Sequence, residues 1–123
     1  MSVRIPAPDE SLWVGVLRLS LVVDGARSLK DRRRAVSQVR DRLRAKHNVS
    51  VADVGHLEDA TRAIVAVTMV GNDPRFLRSA LDRVVHIVVQ WRIASVVDHS
   101  IDLLRPDEPR GFEGLSGYDD VDG

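Results

Sequence analysis

The run WVGVLRLSLVVDGARSLKDRRRAVSQVRDRLRAK, residues 13–46, changes its apolar period partway along, and that change decides the fold. Over residues 13–23 the period is two. Trp13, Gly15, Leu17, Leu19, Leu21 and Val23 fall on one face, and Val14, Val16, Arg18, Ser20 and Val22 on the other, which is a strand with one strongly apolar face. Asp24-Gly25 ends it with turn residues. Ser28, followed by Asp31, forms a variant of the capping box and starts a helix to about Lys46, in which Leu29, Val36, Val39 and Leu43 recur at helical spacing.

Downstream, residues 49–55 are short and β-branched, and residues 60–70 form a second long strand rich in Ile, Val and Thr, with the turn between them at residues 56–59. Asn72-Asp73-Pro74 is a helix start: Asp73 caps free backbone N–H groups, and Pro74 sits where its missing donor matters least. The helix runs to about Trp91 with an inner stripe of Leu77, Ala80, Leu81, Val84, Val88 and Trp91. Phe76, Val85, Ile87 and Val89 widen the apolar arc to roughly 220°, more than one sheet contact needs, so a further surface such as a second subunit is expected to cover the excess. Residues 95–104 alternate again, with Val97, Ile101 and Leu103 facing inward and Asp98, Ser100 and Asp102 outward.

Four strands and two helices in the order βαββαβ make an α+β, ferredoxin-like sandwich: a four-stranded antiparallel sheet with both helices on one face and the other face open or covered by a partner. At 123 residues the chain suits one such domain, expected at residues 13–105, after a flexible leader at 1–12 and before an acidic disordered tail at 106–123.

Composition excludes several function classes. With no cysteine there is no disulfide, thiolate catalysis or cysteine-based zinc site. No apolar run approaches the ~18 uncharged residues of a membrane span, and the first residues lack a signal peptide's apolar core, so a cytoplasmic location without membrane contact is expected. The net charge is zero but unevenly spread. Residues 27–46 carry nine basic groups against Asp31 and Asp41, a net +7, whereas residues 106–123 carry −5.

The segment VGVLRLSLVVDGARSLKDRRRAVSQVRDRLRAKHNVSVADVGH, with TRAIVAVTMVGND downstream, resembles the YlxP-like bacterial family of unknown function. The resemblance is carried by Ser28-Leu29-Lys30 running into Arg32-Arg33, by residues 48–53 (NVSVAD), and by Arg62-Ala63 leading to Asn72-Asp73. It covers roughly residues 13–91. It implies a ferredoxin-like fold, in agreement with the periodicity, and a genomic setting beside translation-initiation and ribosome-maturation factors. It implies no catalytic residue, cofactor or substrate, and the proline-containing leader and acidic tail depart from the family's compact pattern.

The basic helix is the first candidate site. Lys30, Arg33, Arg34, Arg40 and Arg44 are placed to contact a phosphate backbone, where each cation releases condensed counterions. The ordinary alternative is a solvated helix face, since arginine has high helix propensity and the chain uses sixteen Arg to two Lys. Reading of single strands on sheet aromatics is not expected, because no RNP-like pattern lies on a strand. The phase of the stripe points Arg32 toward the sheet, where a guanidinium either pairs with Asp53 or another carboxylate or, more commonly, snorkels past the helix start.

His56, Glu58 and Asp59 have the residue types of an acid/base or metal-binding turn but read first as a solvated hairpin. His47, His86 and His99 sit on separate elements and offer no ligand spacing. Gly71-Asn72-Asp73-Pro74 reads as a cap rather than a phosphate site, because Asp73 fills the helix start with its own charge. The acidic tail has the charge to fold back onto the basic helix, though a solubilising end is the commoner use. The expectation is a non-enzymatic accessory protein with no cofactor or metal, binding RNA or a ribosomal subunit through the first helix and forming a homodimer. The competing reading is a protein-interaction or small-ligand-binding module.

Overall fold

The structure, a computed structural model, describes residues 5–106. Residues 1–4 of the expected leader, and the acidic stretch 107–123 expected to be disordered, lie outside the described residues. The element order is β1 (Trp13–Val22), α1 (Leu29–Lys46), β2 (Ser50–Gly55), β3 (Arg62–Gly71), α2 (Pro74–Trp91) and β4 (Ser95–Leu104). The sheet is antiparallel throughout in the order β2-β3-β1-β4, which is the ferredoxin-like arrangement. No helix among the described residues is long and apolar enough to cross a membrane.

The caps act as their residue types dictate. Ser28 accepts a hydrogen bond from Asp31 N at 3.2 Å, and the Asp31 carboxylate accepts from Arg27 N at 3.0 Å, one residue outside the position a regular capping box uses. Asp73 accepts from Arg75 N at 3.0 Å, with Pro74 opening α2.

The core lies between the sheet and the helices. Leu17, Leu19 and Leu21 of β1 and Val65 and Val67 of β3 meet Val39 and Leu43 of α1 and Leu81, Val84 and Val88 of α2, all essentially inaccessible. Each such side chain contributes about 1.5–3 kcal/mol of transfer free energy. Gly15 permits the close approach of α2 to β1: a Cβ there would lie 2.8 Å from Leu81 Cδ1.

The structure corrects two details of pattern. The pairing of β1 with β4 shifts register between Ser20 and Leu21, so Val96 takes the place opposite Leu21 and packs on the core. Val97, expected inward, is 57% exposed, because the bulge's extra residue reverses the strand's facing on one side of it. On α2 the broad apolar arc divides: Val85 is buried in the core, whereas Phe76 and Val89 stay 60% and 51% exposed.

Candidate functional site

Helix α1 holds two kinds of arginine, separated by phase. Arg32 is 1% exposed, at the centre of the stripe Arg32, Ala35, Val36, Val39 and Leu43. It does not snorkel past the helix start. Asp53 stands on the inner face of β2 opposite Val65, and it takes the guanidinium in a two-pronged grip, Nη1 to Oδ2 at 2.7 Å and Nη2 to Oδ1 at 2.9 Å.

Two carbonyls complete the shell: Nε donates to Arg62 O at 2.7 Å and Nη2 to Gly55 O at 2.9 Å. Four of the five guanidinium N–H groups are thereby used. The Gly55 carbonyl is available because β2 pairs with β3 through a register shift between Asp53 and Gly55. Glycine is required there, since a Cβ would lie 2.9 Å from Ile64 Cβ. This cluster ties the start of α1 to the β2–β3 hairpin and leaves Arg32 no donor directed at a ligand in bulk solvent.

The remaining cations of α1 point outward. Lys30, Arg33 and Arg44 are exposed, and Arg40 is 41% exposed with its Nε donating to Asp41 at 3.1 Å. At 100° per residue Lys30, Arg33, Arg40 and Arg44 fall within about 80° of arc, centred roughly 120° from the buried stripe. Arg42, on the other flank, lies 5.6 Å over the ring of Trp91 of α2. The four-cation stripe therefore overhangs β2, the edge strand, and faces away from α2. Arg34 is exposed too and borders the stripe, about 40° beyond Lys30, where it lines a shallow depression with Asp31, Gln38 and the β1–α1 loop.

The hairpin turn is a scaffold. Asp59 Oδ1 accepts from Thr61 N at 2.8 Å, Thr61 Oγ1 at 3.1 Å and Arg62 N at 3.1 Å. The Thr61 amide, with the Thr61 hydroxyl, the Arg62 amide and the Arg62 charge behind it, holds the Asp59 carboxyl below its ordinary pKa. His56 adopts a left-handed backbone (φ 57°) and is exposed. No group of three His, Cys, Asp or Glu side chains among the described residues is placed to hold a metal ion.

One feature had no signal in the sequence. The C-terminal end of α1 and the start of α2 enclose an open depression lined by Lys46, His47, Met69, Phe76, Ala80 and Arg83. Cations and an exposed aromatic meet there only because α1 ends where α2 begins.

Fold and side chains together define a small ferredoxin-like α+β domain braced by an internal arginine–aspartate pair and bearing a basic helix flank. The chain belongs to the family described as a protein of unknown function, DUF503, whose match covers residues 14–101. No curated protein matches the chain.

Proposed function

We propose that this protein is a non-enzymatic, cytoplasmic accessory protein that binds RNA on a ribosomal particle through the Lys30, Arg33, Arg40 and Arg44 flank of α1. The observation that carries this reading is the segregation of cations on α1. Arg32 is consumed by Asp53 and Arg42 lies over Trp91, whereas Lys30, Arg33 and Arg44 are exposed on one side together with Arg40, whose Nε donates to the neighbouring exposed Asp41. Lys30 to Arg44 spans about 21 Å of helix axis, enough to follow several successive phosphates. The YlxP-like resemblance, with its genomic setting beside translation factors, favours ribosomal RNA over other polyanions.

Binding to generic RNA and to ribosomal subunits across a salt series tests the proposal, with the Lys30, Arg33, Arg40 and Arg44 positions all changed to Gln in the comparison variant. At roughly 0.7 counterions released per phosphate contact on a single strand, loss of four contacts lowers the log–log salt slope by about 3. Equal slopes for the two proteins, or no binding by the parent at low salt, would refute it. A second reading, a protein-interaction or small-ligand module, is favoured by Phe76, which is 60% exposed beside Met69 and Ala80. A Phe76→Ala variant that loses a protein partner while keeping the salt slope would support that reading instead.

A further inference from the structure

The helices cover one face of the sheet. On the other, strand alternation places Val14, Val16 and Val22 of β1 and Ile64 and Val70 of β3, and none of them is among the buried residues. Four strands about 4.8 Å apart and roughly 33 Å long give a footprint near 600 Å². Two such footprints bury about 1,200 Å², the lower bound for a stable interface between proteins.

The polar groups on this face carry both signs. Arg18 stands mid-sheet opposite Ser100, and Asp102 and Asp98 lie opposite its same-face neighbours Val16 and Ser20. All three charged side chains are exposed, and Arg18 forms no ion pair among the described residues. A polyanion meets the aspartates unfavourably, and an acidic or basic protein matches only one half of the pattern. A second copy of the same face matches both halves. A two-fold axis lying in the plane of contact and running across the strands keeps all four strands in contact and stacks β1 on β1 and β3 on β3. It leaves Arg18 of each protomer one strand spacing, about 4.8 Å, to the side of the partner's acidic row, within the reach of its side chain in an isologous interface.

We propose that two copies of this chain associate through the helix-free face of the sheet, with apolar contact at β1 and β3 and Arg18 of each protomer paired with Asp98 and Asp102 of its partner. The assembly leaves α1 of both copies outward, so it stands independently of whether the basic stripe binds RNA.

Light scattering after size exclusion, on the full chain over a range of concentrations, tests this. The parent is expected at twice its 13.7 kDa mass. Arg18→Asp and the double change Asp98→Arg, Asp102→Arg each set like charges against one another and are expected to weaken the dimer at least ~100-fold. All three changes together restore opposite signs and are expected to restore the dimer. Far-ultraviolet dichroism and melting of each variant confirm that these exposed substitutions leave the fold in place. A monomeric parent, a dimer that survives Arg18→Asp, or a triple variant that remains monomeric although folded would each overturn the proposal.

Discussion

Replacing Asp53 by alanine removes the only carboxylate that Arg32 holds among the described residues and leaves a guanidinium that is 1% exposed with two carbonyl partners, Arg62 O and Gly55 O. Removing one partner of a buried pair costs ~3–5 kcal/mol, because the surviving charge stays buried without compensation. Asp53 itself is 27% exposed, so water reaches part of the site and the lower end, about 3 kcal/mol, is expected. Arg32→Met is expected to cost about 2–3 kcal/mol, mostly from the two carbonyls left without a donor, while the Asp53 carboxylate can be hydrated. The double variant loses those same carbonyl bonds but strands no charge, so its cost is about 3 kcal/mol rather than the sum of the singles. Urea unfolding of the four proteins, with equal m-values as the check on two-state behaviour, gives a coupling of about 2–3 kcal/mol. An Asp53→Ala cost below about 1 kcal/mol, or an additive double variant, would refute the bracing role assigned to Arg32.

Two further predictions concern the backbone and the hairpin turn. Arg92 ends α2 in the left-handed region (φ 56°, ψ 26°), so Arg92→Gly is expected to stabilise by up to about 1 kcal/mol, measured by thermal melting; an unchanged or lower melting temperature contradicts it. The folded Asp59 carboxyl titrates below its ordinary value of 3.8, so the stability it contributes is fully present above that value and is lost as pH falls through the depressed pKa. The stability difference between the parent and Asp59→Ala should therefore be widest near neutral pH and shrink below about pH 4, and a difference that does not change with pH would count against the turn geometry.

Much of this could be read from the chain because the deciding signals are local. The switch from period two at residues 13–23 to helical spacing after Ser28, the Ser28 and Asp73 caps, and the inward phase of Arg32 each follow from neighbours within one or two turns. What the chain did not disclose depends on register. The partners of Arg32 include two backbone carbonyls whose direction is set by the shift at Asp53 and Gly55, and a main-chain acceptor has no residue type to betray it. The reversed facing of Val97 comes from the other register shift, at Ser20 and Leu21. Arg18, Asp98 and Asp102 were each assigned to an outward face, but only the pairing of β1 with β4 shows that they share one surface.

Site-specific photo-crosslinking tests most directly whether the basic flank of α1 touches RNA, as proposed. A photoreactive side chain placed at Arg33 or Arg44 is expected to crosslink to RNA in purified ribosomal subunits, with yield falling as salt rises, whereas the same group at Arg18 on the opposite face gives none. Crosslinks to protein alone from the stripe, or equal RNA yields from both faces, would rule out RNA contact through α1.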